Sequence, residues 1–175
     1  VATEAPVTER FVDDIAEFDE FVASEFTSIL ALALALLHDR DDALDVTQET
    51  MARAFDRWND VSAMDRPGAW ARRVALNLVT DTQRRRTRRT RLHRRLRAQP
   101  APPPSRTHSE PWDRAFWAEV AALPHRQRDV IALHYVEDLP VAEIARILDV
   151  PEGTVKSDLS RARDHLRATI DRSDT

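Results

Sequence analysis

Thr154, Lys156, Ser157, Ser160, Arg161 and Arg163 alternate with Val155, Leu159, Ala162 and Leu166, which recur at the spacing of one helix face. Hydroxyls, an ammonium group and guanidinium groups on one helix are suited to bonding phosphate oxygens and base edges. Upstream, Val141, Ile144, Ala145 and Leu148 mark another amphipathic helix, parted from the first by a break from Asp149 to Gly153. Two short helices joined by so tight a turn must cross steeply, which is the helix-turn-helix arrangement. Pro151 suits the first turn of the second helix, where a missing N–H costs nothing. Gly153 leaves room for close backbone approach. A structural helical hairpin with a solvated polar face fits the same pattern, so the segment alone leaves that reading open.

Charge marks a second concentration of chemistry. Residues 72–97 carry 11 arginines against one acid, Asp81, for a net charge of +10. Residues 1–71 are net −11 and residues 98–175 net −3, so the total of −4 conceals a basic block behind an acidic one. All the cations but Lys156 are arginine, a preference that a GC-rich genome would also produce and that is no evidence by itself. With no cysteine there is no disulfide, thiolate metal site or thiol switch on this chain. His125 and His134 lack partners at ligand spacing, and no metal or cofactor is expected.

The elements that position these groups are helical. Only two glycines among 175 residues, few β-branched clusters and apolar residues in helix-period stripes imply an all-α protein. Residues 1–10 read as a flexible tail. Helical patterning starts near Phe11 and continues, with a break, through Ile15, Phe18, Phe21, Val22, Phe26, Ile29, Leu30 and Ala33. A polar break at His38–Asp41 precedes a third helix, Asp42 to about Trp58. There Leu44, Met51, Ala54, Phe55 and Trp58 are expected inside, and Asp45, Gln48, Glu49 and Arg53 outside. Asn59–Arg66 reads as a loop, after which Pro67 opens a long helix carrying Trp70, Val74, Leu78 and the arginine run. Residues 98–112, with five prolines, form a linker. The expected architecture is thus two small helical domains, residues 11–97 and 113–172, on a flexible linker. The longest apolar run, Ile29–Leu37, is about half the length a membrane span needs. The acidic first twenty residues do not read as a signal peptide, so a cytoplasmic protein without a membrane span is expected.

Both halves resemble the extracytoplasmic-function sigma factors of bacterial RNA polymerase. Leu123-Pro124 followed by RQRDVIALHYVEDLPVAEIARILDVPEGTVKSDLSRARDHL is similar to the family's Leu-Pro, its R-x-V-x-x-L helix and its terminal GTVKSRLxRAR helix. DALDVTQETMARAFDRW resembles the D-x-x-Q-[ED] helix that docks on polymerase. RPGAWARRVALNLVTDTQRRR resembles the helix that melts and reads the promoter minus-ten element. The two matches are independent, and together they cover roughly residues 20–97 and 113–170.

The resemblance implies a sigma factor that binds core RNA polymerase, recognises minus-ten and minus-thirty-five elements of promoter DNA, and catalyses no covalent reaction. Asp45, Gln48, Glu49 and Arg53 would lie against the polymerase. Arg72, Arg73, Arg84, Arg85 and Arg86 would neutralise phosphates, with Trp70 and Asn77 holding an opened strand. Asn59 and Asp60 belong to the loop that captures a flipped minus-ten base. Lys156, Ser157, Ser160 and Arg161 would approach the minus-thirty-five element, flanked by Thr154, with Arg128 and Arg163 on phosphates. Asp158 stands where the family usually has arginine; it must either accept from a cytosine amino group or turn away from the DNA. An anti-sigma factor is an implied further partner, and an additional C-terminal regulatory domain is not expected.

Two other readings weigh against this one. A helix-turn-helix regulator that is not a polymerase subunit accounts for the C-terminal half but leaves the acidic helix and the arginine helix unexplained. A metal-dependent hydrolase could use Asp41, Asp42, Asp45 and Glu49 on one helix face, but no second helix supplies a matching carboxylate set with histidine.

Overall fold

The computed structural model describes the backbone of residues 7–96 and 111–173, and the side chains of residues 14–91 and 116–169. Eight α-helices and no strand occur among the described residues: α1 (Val7–Leu37), α2 (Arg40–Asp56), α3 (Trp58–Ser62), α4 (Pro67–Leu96), α5 (Pro111–Ala122), α6 (His125–Tyr135), α7 (Val141–Leu148) and α8 (Glu152–Ser173).

Ile29, Leu32, Ala33 and Leu36 recur on one side of α1 and are essentially inaccessible, packed against α2 and α4. Each such side chain contributes about 1.5–3 kcal/mol by leaving water. Residues 14–37 are long and apolar enough to cross a bilayer by length and composition, because scattered acids still leave an apolar average. Within that stretch Phe21, Ile29, Leu32, Ala33, Leu36 and Leu37 are buried in the protein core. No break interrupts α1, which starts four residues inside the expected tail.

The corner between α1 and α2 is only His38 and Asp39. His38 takes a left-handed φ of 53° and donates its N–H to the Leu34 carbonyl at 3.0 Å, ending α1. Asp39 then caps α2, its Oδ1 accepting from the N–H groups of Asp41 at 3.0 Å and Asp42 at 3.1 Å. Such a cap stabilises a helix by about 1 kcal/mol. On α2 the buried set is Ala43, Val46, Thr47, Thr50, Met51 and Ala54. Two of these are threonines, each satisfied by a carbonyl one turn back, Ala43 at 2.8 Å and Val46 at 2.7 Å. Phe55 departs from the inward position expected of it. It is 53% exposed, yet it meets Phe18 edge-on at 5.0 Å, beside the buried Trp58.

Residues 59–62 of the expected loop belong to α3, which continues α2 past a single turn residue at Arg57. Pro67 opens α4 as expected, and Ala71, Ala75, Leu76, Leu78 and Val79 bury its first half. Beyond Val79 the apolar stripe stops and Arg84, Arg85, Thr87 and Arg88 face solvent. α4 in turn closes α1: Gln83 Nε2 donates to the Leu36 carbonyl at 3.0 Å and Arg86 Nη1 to that of Leu37 at 3.1 Å. A cation at the negative end of a helix is favourable.

α5 to α8 form a second unit around Val120, Leu123, Val130, Ile131, Leu133, Ile144, Val155, Leu159 and Leu166. Its first helix begins at Pro111, inside the stretch read as linker; the rest of that stretch lies outside the described residues. The unit packs back on the first, with α7 on α4 and α5 and α6 on α1.

Candidate nucleic-acid interface

The break between α7 and α8 is three residues, shorter than the five read from the sequence. Asp149 takes φ 55° and ends α7, its N–H directed to Arg146 and that of Val150 to Ala145. Aspartate tolerates the left-handed region better than most side chains. Pro151 precedes the helix, its carbonyl accepting from Thr154 at 2.9 Å and Val155 at 3.3 Å. A Cβ on Gly153 would meet nothing within 4 Å. Val155, Leu159, Ala162 and Leu166 are all buried, which turns Lys156, Ser160, Arg161 and Arg163 to solvent and leaves Thr154 and Ser157 half-buried. Arg163 donates from Nε to the Tyr135 hydroxyl at 2.9 Å, so one of the outward cations is held by an exposed phenol. Lys156 stands 3.8 Å from Glu152 one turn back.

Asp158 resolves in favour of turning away. It is 2% exposed, and its carboxylate accepts from Nε of the half-exposed Arg126 at 2.5 Å. The neighbouring buried positions Val155, Leu159 and Ala162 share its side of α8, so the carboxylate faces α6 and leaves the outward face of α8 without an acid at this position.

Asp45, Gln48, Glu49 and Arg53 are exposed along one side of α2. Glu49 and Arg53 pair at 2.9 Å. With Arg85, Arg86 and Arg89 of α4 they line an open groove of about 1170 Å³, acidic on one wall and basic on the other. Arg86 crosses this groove to Asp39 at 3.2 Å and to Asp42. Its expected phosphate role gives way here to bracing α1, α2 and α4 at one corner.

Asn59 and Asp60 are exposed, on helix rather than loop, beside Ile15, Phe55 and Trp58 in a cleft of about 340 Å³. On α4, Trp70 is half-buried against the core, whereas Asn77, Arg84 and Arg85 face solvent. Arg84 lies 3.8 Å from Asp81 and Arg73 lies 3.7 Å from Asp149 of the second unit.

Arg72 and Arg128 depart most from expectation, for both sit where the two units meet. Arg72 is 16% exposed and reaches Glu137 from Nε at 2.7 Å, Glu25 from Nη1 at 2.6 Å and Ser28 at 3.2 Å. Burial pulls its pKa down, but the hydrogen bonds and charges of Glu137 and Glu25 outweigh this and hold the guanidinium charged. A Cβ on Gly68 would stand 2.3 Å from Glu25 Oε1, so this glycine makes room for the pair. Arg128 is 4% exposed; it pairs with Asp129 at 2.9 Å and donates to Thr80 at 3.0 Å and to Gln83 on α4. In this arrangement no phosphate can reach it. Arg66 pairs with Glu143, whose hydrogen bond and charge raise its pKa.

Glu137, Glu143 and Asp149 therefore belong to the site although sequence reasoning passed over them. The available signal was their type: three carboxylates around a helix-turn-helix otherwise read as DNA-facing.

The sequence pattern of Sigma-70 region 2 matches residues 21–89, and that of Sigma-70 region 4 matches residues 113–166. The RNA polymerase sigma-E factor of Streptomyces coelicolor is 32% identical over 158 residues, covering 90% of this chain and 88% of the relative. The extracytoplasmic-function sigma factor SigL of Mycobacterium tuberculosis is 36% identical over 143 residues, covering 79% and 80%. The sigma factor RpoE of Bartonella quintana, solved with the anti-sigma factor NepR, shares the fold with a TM-score of 0.68 at 23% identity, covering 89% of this chain and 97% of that one. Two helical units in this order, each matching its own sigma region, and relatives more than 30% identical over four-fifths or more of their length place this chain in the extracytoplasmic-function family of RNA polymerase sigma factors.

Proposed function

We propose that the chain docks on core RNA polymerase through Asp45, Gln48, Glu49 and Arg53, and that its two units read the two promoter elements. Asn59, Asp60, Trp70, Arg73, Asn77, Arg84 and Arg85 meet the minus-ten element. Thr154, Lys156, Ser157, Ser160, Arg161 and Arg163 meet the minus-thirty-five element, joined by Arg128 once the units part. The observation that carries this reading is the outward face of α8, where apolar positions are buried and hydroxyls and cations are left to solvent. An exposed face of carboxylates, amide and guanidinium on α2 suits a polar, exchangeable contact with a basic partner. The action takes place in the cytoplasm, involves no covalent step, and is subject to capture by an anti-sigma factor, as in the solved relative bound to one.

Reading both elements at once requires the units to separate. Elements about 25 base pairs apart lie roughly 85 Å from one another at about 3.4 Å per base pair. The 14 residues between Leu96 and Pro111 span at most about 50 Å when extended, and the lengths of the units supply the remainder.

Run-off transcription with core enzyme on a randomised promoter library tests the proposal and returns the base preference. Promoter-dependent transcripts are expected from the chain, with at least a tenfold loss on Lys156→Ala with Arg161→Ala, and loss of core binding on Asp45→Arg. No transcript from any promoter, together with no binding to core, would overturn it in favour of a regulator that is not a polymerase subunit.

A further inference from the structure

Tyr135 is the one large aromatic side chain of the second unit that stands mostly in solvent among the described residues, 54% exposed at the C-terminal end of α6. It is held in place all the same. The His134 ring meets it edge-on at 4.9 Å, and His134 is itself fixed, donating from Nδ1 to the Leu139 carbonyl at 3.1 Å. From α8, Arg163 donates its Nε–H to the Tyr135 oxygen at 2.9 Å, and the guanidinium carbon lies 5.7 Å from the ring centroid. A cation at that range is attracted by the ring. Among the described residues Arg163 has no carboxylate partner, whereas Lys156 has Glu152 at 3.8 Å. An uncharged phenol holds the guanidinium without cancelling its charge and leaves the Nη groups free. The phenol, having accepted from Arg163, still has its own hydrogen to give.

The place of this pair on the helix matters. Lys156, Ser160 and Arg163 follow one another at i, i+4 and i+7 along the outward side of α8. At about 1.5 Å per residue, Arg163 lies about 10 Å beyond Lys156 along the axis, close to the roughly 12 Å width of a major groove. A helix that carries Lys156 among base edges therefore brings Arg163 to the level of the flanking backbone. We propose that Arg163 and Tyr135 form one site for a single phosphate beside the minus-thirty-five element. The phenol fixes the guanidinium through Nε, and the Nη groups of Arg163 and the hydroxyl of Tyr135 donate to the phosphate oxygens. The inference rests on the assignment of α8 to that element. It adds to the DNA-contacting residues a side chain from a helix other than the one that reads bases. An unheld arginine gives up its rotamer freedom when it meets a phosphate; one resting on a phenol has given up much of it beforehand. Such a contact carries no base preference of its own but fixes the register of α8 on the duplex.

The test uses holoenzyme assembled from core enzyme and the full chain, as parent and with Tyr135→Phe, Arg163→Ala, both together, or Arg163→Lys. Affinity for a fluorescein-labelled promoter duplex taken from the randomised library is read by anisotropy over a series of salt concentrations. Arg163→Ala is expected to weaken binding and to make the log–log salt dependence shallower by about 0.9, the share of one phosphate. Tyr135→Phe keeps the ring on His134 and removes only the oxygen, so it is expected to leave that slope unchanged and to weaken binding about fivefold. In the Arg163→Ala background the same change is expected to cost no more than about twofold, because groups that act as a unit do not add. Binding by Tyr135→Phe within about twofold of the parent, or a loss as large without Arg163 as with it, overturns the proposal. Should Tyr135→Phe unfold the chain, Arg163→Lys, which keeps the charge but lacks the planar fork, must show a similar loss at an unchanged slope; parent-like binding by it overturns the proposal equally. Parent holoenzyme that binds the selected promoter, with no coupling between the two positions, sinks only the shared phosphate site. Parent holoenzyme that binds no selected promoter better than a scrambled duplex sinks the assignment of α8 and the site with it.

Discussion

At the scale of single residues, burial rather than type decides what a charged side chain can do. Asp158 shares a helix with the outward cations but is buried at 2% exposure and faces Arg126. Asp158→Arg would put a guanidinium into that enclosed position without a counter-charge, beside the half-exposed Arg126. Loss of about 3 kcal/mol is expected, since an uncompensated buried charge costs that order, and thermal denaturation followed by circular dichroism would register it. Unchanged stability would mean that position 158 swings out to solvent. Asp129 is a second case. Burial is the largest influence on its carboxyl and pushes its pKa up; Arg128 pulls the other way without cancelling it. The folded state therefore holds that proton more tightly than the unfolded chain. Its stabilising contribution is complete below the ordinary carboxylate value and is lost as pH rises through the raised native one. Asp129→Asn removes the titration. The melting-temperature difference, variant minus parent, should accordingly grow as pH rises from the ordinary carboxylate value through the raised native one, whatever its offset.

At the scale of elements, Gly153 separates a folding role from a DNA role. It lies in the first turn of α8, its φ is not positive, and no atom stands within 4 Å of where a Cβ would be. Nothing in the fold requires a glycine there. Alanine is favoured over glycine inside a helix by about 0.5–1 kcal/mol, so Gly153→Ala should raise the melting temperature by a few degrees. If DNA approaches the backbone at this point, the same variant loses affinity for duplex DNA containing the selected minus-thirty-five sequence. A gain in stability with no loss in affinity would remove Gly153 from the interface. The corner at His38 and Asp39 shows the opposite economy, because a left-handed histidine and an aspartate cap turn the chain in two residues without glycine.

At the scale of the whole molecule, the contact between the units is the feature most tied to function. If promoter reading requires them to part, holding them together must abolish it. The chain has no cysteine, so a pair placed at exposed Asp65 and at Glu143 can be bridged selectively. Asp65→Cys with Glu143→Cys, joined by a short reducible bis-maleimide, should lose promoter-specific transcription and recover it on reduction. The unbridged variant should transcribe like the parent. Full activity of the bridged protein would show that the elements are read without separation.

Helix content, the division into two units, the buried positions Val155, Leu159, Ala162 and Leu166, and the outward order of Asp45, Gln48, Glu49 and Arg53 were legible in the sequence, because a helix repeats every 3.6 residues and its faces follow from local spacing alone. Local spacing also misplaced Phe55, whose exposure depends on how α1 crosses α2, and read α3 as a loop, since a helix of five residues has too little periodicity to register. The fates of Arg72, Arg86, Arg128 and Asp158 were decided only by tertiary structure. Each is a charge with a partner more than thirty residues away along the chain, although Arg128 also pairs with its neighbour Asp129. Whether such a group meets phosphate or carboxylate depends on what the fold brings within about 4 Å of it, and no spacing along one helix carries that distance.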